Sequence, residues 1–322
     1  MSYRFLMRIL LLSCTAVTTL FAETKYDLAI SAIFQDEAPY LEEWIEFHKL
    51  QGVQHFYLYN NNSSDDFMQV LNPYIRNGDV TLTDWSYTYD YQNHSEWIGI
   101  QAGAYMDTIN RYGTTTKWLA AIDIDEFLFC PTGKSLVEFL KKYKKYGGLC
   151  VNWKPFGTSN ISDIPKGFLQ IEMLIYATDP KATGKAKHLE NYFVKSIVQP
   201  KYVKGCASAH SFQYVKGKFH VDVRGHKLKA ESAKKILIDK IRINHYWTRT
   251  VRYLWDNKIA SRLKRRKDFS PERMLKLAAK YNKCINTDIL QYVAPLRLAL
   301  QNKKEIGVSE TGRSNIAHTP HQ

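Results

Sequence analysis

The sequence predicts an α/β fold in which a mostly parallel sheet is flanked by helices and followed by a helical C-terminal extension. Short apolar runs alternate with longer amphipathic runs from residue 26 onward, as is typical of strands connected by helices. A chain of 322 residues with 45% hydrophobic side chains can bury a core without disulfides or a structural metal. No internal repeat or low-complexity linker interrupts it, so we expect one domain over residues 23–306 and a polar, frayed tail over 307–322.

Strands and helices alternate regularly in the first half. The first run is apolar throughout, as expected of a buried strand. Pro39 lies near the start of the next run, with acidic residues early and Lys49 late, which favours a helix. The predicted strands are Tyr26–Phe34, Gln54–Tyr59, Asp79–Thr83 and Lys117–Ile122, and the predicted helices are Pro39–Leu50, Asp66–Ile75 and His94–Arg111.

The second half is less regular. Its clearest signal is Pro271, which is suitably placed for the start of a helix. We predict a strand at Gly148–Trp153, short strands and loops over 154–245, and helices at Leu136–Tyr146, Thr250–Lys267, Pro271–Tyr281 and Asp288–Gln301.

The first 22 residues have the pattern of an export signal. Arg4 and Arg8 precede the uncharged, mostly apolar run Ile9–Ala22, which ends in a small side chain. This order is typical of a secretory signal peptide. A short membrane anchor and a buried helix are the alternatives, because a membrane span needs about 20 apolar residues. A signal or anchor predicts the secretory pathway or a membrane, and in a bacterium the periplasm or export.

Four cysteines follow this segment: Cys130, Cys150, Cys206 and Cys284. No two have the C-x-x-C spacing of a zinc or thioredoxin-like site. In an exported protein they could form two disulfides, and buried free thiols are the equal alternative.

The formal net charge of +14 is unevenly distributed. It is +2 over residues 1–22, −12 over 23–130 and +24 over 131–322. The uniform basic coat of a general DNA-binding protein is therefore excluded. The basic run at 264–267 has no recognised nucleic-acid module beside it, so we expect no nucleic-acid partner.

Polar clusters follow three predicted strands, at Asp36-Glu37, Asn60–Asp66 and Asp123-Ile124-Asp125. The carboxyl ends of parallel strands meet at one edge of a sheet, where ligands bind. Alternate residues of a strand share one face, so Asp123 and Asp125 are expected to point forward together. Two adjacent carboxylates repel unless a cation joins them, and oxygen ligands suit Mg²⁺ or Mn²⁺. Solvated loop acids are the alternative.

The sequence resembles glycosyltransferase family 92 in seven ordered blocks across about residues 27–260. The opening block, Asp36–His48, is similar to the family's start, although the family has Asn where this chain has Asp36. A family aspartate after the second strand is also replaced, by Asn60 or Asn61. The remaining blocks are Gly52–Tyr59 with Asn61–Asp65, Ala121–Phe127, Trp153–Ser159, Val194–Pro200, His210–Phe212, and Ile243–Tyr246 with Arg249, Thr250 and Lys258.

The resemblance implies a GT-A-like fold and transfer of a sugar, typically from UDP-galactose, to an acceptor glycan with inversion. It also implies that Asp125 ligates Mn²⁺ or Mg²⁺, that Asp123 reaches the ribose or a metal-bound water, and that His245 is a third metal ligand. A departing nucleoside diphosphate gathers negative charge, which a metal ion and basic groups stabilise. Lys195 and Arg249 are the candidates for that basic role, with solvated surface charges as the alternative.

Other site residues also follow from the matched blocks. The residues Asp36, Glu37 and Asp65 belong to the implied nucleotide pocket in the half spanning 27–130, and the half spanning 131–306 supplies the acceptor side. The implied sugar-binding residues are Trp153, Gly157 and His210.

Each of these assignments has a physical reason. A flat aromatic can stack on a sugar, and a glycine lets backbone approach a ligand. The alternative is that Trp153 and His210 are residues of the core. Inverting transfer also needs a general base, for which the candidates are Glu172, Glu190 and Asp222.

A catalytically silent carbohydrate-binding protein of the same fold is the second functional hypothesis. The changes at Asp36 and Asn60 support it, whereas the joint presence of Asp123, Asp125 and His245 favours an enzyme. Nucleotide sugars are not ordinarily present in a bacterial periplasm. An exported bacterial enzyme would therefore need an uncleaved anchor or delivery into another cell, and a eukaryotic host would remove the conflict.

Overall fold

The computed structural model describes residues 24–89, 93–184, 189–228, 232–265 and 268–314. The strands are β1 (Tyr26–Phe34), β2 (His55–Asn60), β3 (Val80–Asp84), β4 (Thr116–Ala121), β5 (Glu126–Phe129), β6 (Gly148–Pro155), β7 (Tyr176–Ala177), β8 (Val194–Val198), β9 (Val203–Ser208), β10 (Ser211–Tyr214), β11 (His220–Val221), β12 (Arg242–His245) and β13 (Cys284–Ile285).

The α-helices are α1 (Ala38–Leu50), α2 (Phe67–Arg76), α3 (His94–Tyr112), α4 (Leu136–Leu140), α5 (Gln170–Met173), α6 (Val251–Tyr253), α7 (Ala260–Arg265), α8 (Pro271–Ala279) and α9 (Val293–Ser314). The 3₁₀ turns are Lys141–Tyr143, Leu189–Tyr192, Pro200–Tyr202 and Asp288–Tyr292, and Leu254–Ile259 is a π-helix.

A nine-stranded sheet has the order β3-β2-β1-β4-β8-β6-β12-β5, with β11 paired to β6. The first four strands in this order are parallel. β8 lies antiparallel between β4 and β6, and β12 is parallel to β6 and antiparallel to β5. The predicted α/β fold is thus confirmed, with antiparallel strands that periodicity does not predict.

The two faces of the sheet are covered by different helices. Along β2, Phe56 and Leu58 pack into the core that includes α1, whereas Tyr57 and Tyr59 pack against Tyr105 of α3. This alternation is the expected consequence of strand geometry. Both faces of β2 are therefore buried.

Every element predicted in the first half is present, with ends shifted by at most one residue. In the second half, α4 ends at Leu140, well before the predicted Tyr146, because a 3₁₀ turn and Gly147 follow. The helix predicted at Thr250–Lys267 contains the π-helix. The last helix extends to Ser314, into the segment predicted as a frayed tail, since Lys and Glu favour helix and no proline stops it.

The predicted signal or anchor, residues 1–22, lies outside the described residues, as does 315–322. Among the helices that the structure describes, none combines the length and apolar character needed to cross a membrane. The four described cysteines are free thiols, which agrees with the free-thiol alternative.

Candidate functional site

The paired aspartates lie in the connection between β4 and β5. β4 ends at Ala121 and β5 begins at Glu126. The Asp123 N–H donates to Glu126 Oε2 (2.9 Å), and the Asp125 carbonyl accepts from the Tyr246 N–H (2.8 Å). The Glu126 N–H also donates to the Asp123 carbonyl (3.1 Å). Residues 123–126 therefore form a turn, so the prediction that both carboxylates project from one strand face is wrong. The two acids have different partners instead.

Asp125 pairs with His245, the last residue of β12. Asp125 Oδ1 and His245 Nε2 lie 3.6 Å apart, and their side chains are only 13% and 8% exposed. Burial opposes ionisation of Asp125, but His245, with Lys258 and Arg249, holds the pKa of this carboxyl well below its usual range. Burial also disfavours charged His245, yet Asp125 gives the imidazole a raised pKa. The pair thus favours the charged form of each side chain.

Asp123 pairs with Lys195 on β8. Lys195 Nζ donates to Asp123 Oδ2 (2.8 Å) and lies 3.5 Å from Glu126 Oε2. Although burial disfavours the ammonium, Asp123 and Glu126 raise the pKa of Lys195. Lys195 therefore lies at the site, as predicted, but in the protein alone it pairs with Asp123 and lies beside Glu126, whose pKa burial raises to about 8.

Helix α3 supplies two contacts to Asp123 that sequence reasoning missed. Gln101 Nε2 and the Tyr105 hydroxyl both donate to Asp123 Oδ1, at 2.9 and 3.4 Å. These residues are four apart, so they share one face of the helix. The only sequence signal was a glutamine on an otherwise apolar helix face.

Arg249 is a second charged group at this edge of the sheet. It follows β12, is 0% exposed and has a φ of 44°. Its Nη2 lies 2.5 Å from Glu37 Oε2, and its guanidinium lies over the rings of Tyr40 and Tyr253, at 3.5 and 4.6 Å from their centroids. A buried arginine held in this way is a preformed cation.

Lys258 lies in the π-helix. Its ammonium is 5.4 Å from the Tyr253 ring centroid. Burial lowers the pKa of Lys258, and the charge of Asp125 opposes this shift. Because π-helical turns are frequent at functional sites, the position of Lys258 in one supports the assignment of a site here.

Asp36 and Asp65 join the loops that follow β1 and β2. Asp36, which has a φ of 54°, accepts at Oδ1 from the N–H (2.7 Å) and hydroxyl (3.1 Å) of Ser64. Asp65 Oδ2 accepts from the Ala38 N–H (2.7 Å). The structure thus places both acids at the predicted edge, where their carboxylates bind other parts of the loops.

The asparagines that depart from the family pattern have local roles. Asn60 Nδ2 donates to Asp84 Oδ1 (3.1 Å). Asn61 Nδ2 donates to the carbonyls of Trp85 (2.8 Å) and Tyr87 (2.9 Å). An aspartate could not donate these bonds. The Asn60 amide therefore holds the end of β3, and the Asn61 amide holds the chain that follows it.

Trp153 lies in a ring cluster beside the Asp125 pair. Its ring centroid is 4.3 Å from that of His245 and 5.3 Å from that of His210. Trp153 Nε1, His245 Nδ1 and Glu126 Oε1 are buried and have no hydrogen-bond partner within the described part of the chain. Because buried polar atoms nearly always have partners, this concentration indicates a ligand-binding site.

Gly157 packs closely against another part of the protein, at Asn282. A β-carbon built on it would lie 2.1 Å from Asn282 Oδ1. Asn282 in turn accepts from the Ser159 N–H (2.9 Å) and donates to the Thr158 hydroxyl (3.1 Å). The absence of a side chain at Gly157 therefore makes room for Asn282. The resemblance had implied that it makes room for a ligand.

We expect Gly157→Ala to lower the free energy of unfolding by about 1–3 kcal/mol, the usual cost of overpacking, because the methyl group would displace Asn282. Urea unfolding at pH 7 measures the loss. Gly99→Ala is the matched control, since nothing lies within 4 Å of its added β-carbon. Wild-type stability of Gly157→Ala would contradict this packing role.

The three carboxylates considered as general base lie in different places. Glu172 pairs with an arginine of α9, and Asp222 accepts N–H groups of its own turn. The charge of Glu190 raises the pKa of both His245 and Tyr281. Glu190 is thus the one of the three that lies near the Asp125 pair.

The spacing of Asp125 and His245 fits a shared divalent cation. Two atoms that are each about 2.1 Å from a metal ion can be up to about 4 Å apart, and these lie 3.6 Å apart. The predicted set of three ligands is not assembled: within the described ranges no group of three His, Cys, Asp or Glu is arranged to hold a metal. Asp123 contacts Lys195 instead.

The family follows from comparison with known proteins. Residues 27–285 match the model of Glycosyltransferase family 92. The chain belongs to glycosyltransferase family 92. The match includes the aspartate turn, β12 and Arg249, so the site lies within the family 92 region. The resemblance read from the seven sequence blocks is confirmed.

Several relatives with assigned names share part of this family 92 region. Glycosyltransferase family 92 protein Os08g0121900 of Oryza sativa subsp. japonica is 30% identical over 44% of this chain and 23% of its own length. Galactan beta-1,4-galactosyltransferase GALS3 of Arabidopsis thaliana is 27% identical over 42% of the chain and 27% of its own. Beta-1,4-galactosyltransferase galt-1 of Caenorhabditis elegans is 28% identical over 56% and 40%. The chain thus spans less than half the length of each.

Proposed function

We propose that this family 92 protein is a metal-dependent glycosyltransferase that moves galactose from UDP-galactose to an acceptor glycan, with inversion. The observation that carries the proposal is the largely buried pair of Asp125 and His245 at the carboxyl edge of the sheet, where the charges of Arg249 and Lys258 favour ionised Asp125. The names of the A. thaliana and C. elegans relatives support galactose as the sugar.

The charges of the site suit a nucleoside diphosphate. Asp125 and His245 would hold Mn²⁺ or Mg²⁺, which when bound stabilises negative charge on the diphosphate. Arg249 is fixed by Glu37 and by two rings, so its positive charge is already oriented before the donor binds. A preoriented cation in a buried site stabilises developing charge without reorganisation. These groups together favour departure of UDP.

The remaining site residues position the donor. Gln101, Tyr105 and Lys195 orient the Asp123 carboxylate, which we assign to the ribose or to a metal-bound water. We assign the donor sugar to the neighbourhood of Trp153, whose ring lies beside those of His245 and His210. The loops joined by the acids after β1 and β2 form the nucleotide side.

We assign the general base to Glu190 and expect Glu190→Gln to lower kcat for UDP-galactose hydrolysis by about 10²-fold, the scale of lost base catalysis. The KM for the donor should change little, because the base acts on the attacking water or acceptor hydroxyl. Glu172→Gln, at a carboxylate paired with an arginine of α9, should keep wild-type kcat. Equal kcat values in the two variants would contradict the assignment.

Donor hydrolysis and transfer with a panel of nucleotide sugars, in Mn²⁺ and in EDTA, test the proposed activity. We expect UDP-galactose to be used best and only with the metal. If no donor is bound, a catalytically silent carbohydrate-binding protein of the same fold is the better account. The engagement of Asp123 by Lys195 favours that second function. Metal-dependent hydrolysis without transfer would indicate a different acceptor.

The proposed setting is the secretory pathway or a membrane surface, or the periplasm or cell exterior in a bacterium. It rests on the apolar run that follows Arg4 and Arg8, and on the charge of +24 over residues 131–322. An anionic surface is the kind of environment that such a charge favours.

A further inference from the structure

Three segments of the second half, 141–147, 199–204 and 216–227, are strongly basic. Together they contain nine lysines and one arginine, and Asp222 is their single acidic residue. This surface, here called the basic face, has no part in the proposed chemistry. We propose that the basic face docks the protein on an anionic lipid bilayer.

The three segments lie together. Lys218 Nζ donates to the Lys145 carbonyl (2.9 Å), which joins the third segment to the first. Gln199 Nε2 donates to the Lys144 carbonyl (3.0 Å), which joins the second to the first. The ammonium of Lys218 also lies 4.2 Å from the ring centroid of Tyr202. The positive charges therefore form one continuous surface.

Most of these charges have no acidic partner. Among the described residues, Lys141 is the one member of the ten with a carboxylate within 4 Å, that of Glu138. Asp222 accepts N–H groups of its own turn. Several of these lysines lie close to aromatic rings instead. The ammonium of Lys145, for example, is 5.1 Å from the Tyr146 ring centroid.

The chemistry of the basic face suits lipid headgroups. Lysine is a hydrated point charge on a flexible stem, whereas arginine recognises fixed anions through a planar fork. A surface with nine lysines and one arginine therefore fits mobile headgroups better than a specific anionic motif. Each lysine near an anionic bilayer contributes to the free energy of binding through its charge, without the need for a fixed contact.

The basic face lies at the sheet edge opposite the aspartate turn. β6 begins at Gly148, directly after the first basic segment, and ends at Pro155 near the site. β1 and β4 are parallel to each other, and β8 is antiparallel to both β4 and β6. The amino end of β1, at Tyr26, is therefore on the same edge as the basic face. The apolar run Ile9–Ala22 precedes that end in the sequence. A single bilayer is therefore compatible with both the basic face and this apolar run.

Binding of the full chain to phosphatidylcholine vesicles, with and without phosphatidylserine, tests the proposal. At low salt we expect the wild type to prefer phosphatidylserine vesicles by about tenfold or more, and high salt should reduce that preference. The basic-face variant should lose most of it, and a control with three exposed lysines of the α8 region changed should keep it. The two variants are Lys142→Glu/Lys145→Glu/Lys201→Glu and Lys276→Glu/Lys280→Glu/Lys283→Glu.

Three results would overturn the docking proposal: no preference for phosphatidylserine in the wild type, equal preference in both variants, or a basic-face variant that binds vesicles normally and loses binding to polygalacturonate or RNA. We expect UDP-galactose hydrolysis by the basic-face variant to stay at the wild-type level. Failure of docking is thereby distinguishable from failure of the proposed activity and from misfolding.

Discussion

Asp125→Asn is expected to lower kcat for UDP-galactose hydrolysis and transfer by about 10³-fold, the scale on which loss of a major charge-stabilising group acts. Asparagine keeps the size of the side chain but removes the charge that pairs with His245. The variant should also lose its response to Mn²⁺. Steady-state kinetics over a range of Mn²⁺ concentrations measure both effects.

Asp163→Asn is the control for this substitution. Asp163 is exposed and pairs with Arg252 (2.8 Å), so its loss should leave kcat unchanged. Asp123→Asn should retain more activity than Asp125→Asn, because one of the two donors, Gln101 or Lys195, can still bond the amide oxygen. Wild-type activity in Asp125→Asn would contradict the role assigned to this carboxylate.

Arg249→Met is expected to lower the free energy of unfolding by about 3–5 kcal/mol, the usual cost of leaving a buried charge without its partner. The charge that loses its partner is that of the Glu37 carboxylate, whose side chain is only 16% exposed to solvent. Burial raises the pKa of Glu37, and Arg249 opposes this shift. Urea unfolding at pH 7 measures the loss, and Glu37→Gln in the same chain should restore part of it.

Arg297→Met is the matched control for this loss. Arg297 also pairs with a glutamate, Glu172, but its side chain is 37% exposed. Exposed ion pairs contribute about 0–1 kcal/mol, so the control should lose far less stability. Equal losses in the two arginine variants would show that Arg249 does not stabilise a buried carboxylate.

The fold of the first half is predictable from sequence because its signals are local. Each strand there is an apolar run, and each connection is a helix with its own periodicity. The place of β8 is not predictable in this way, since it depends on pairing with both Leu119 of β4 and Leu149 of β6.

The site is predictable where a motif carries it. The resemblance to family 92 pointed to Asp125 and His245 together, although they are distant in sequence. It did not give the turn that separates Asp123 from Asp125, because that turn depends on the Glu126 carboxylate. Gln101 was missed since it reaches Asp123 from another element.

Calorimetric titration of UDP into the wild type and Asp125→Asn, with Mn²⁺ or with EDTA, tests the central claim most directly. A divalent ion shared by Asp125, His245 and the diphosphate predicts that Mn²⁺ tightens UDP binding to the wild type by about tenfold or more, which is about 1.4 kcal/mol. It also predicts no effect of Mn²⁺ on the variant. Equal UDP affinity of the wild type in Mn²⁺ and in EDTA would contradict the claim.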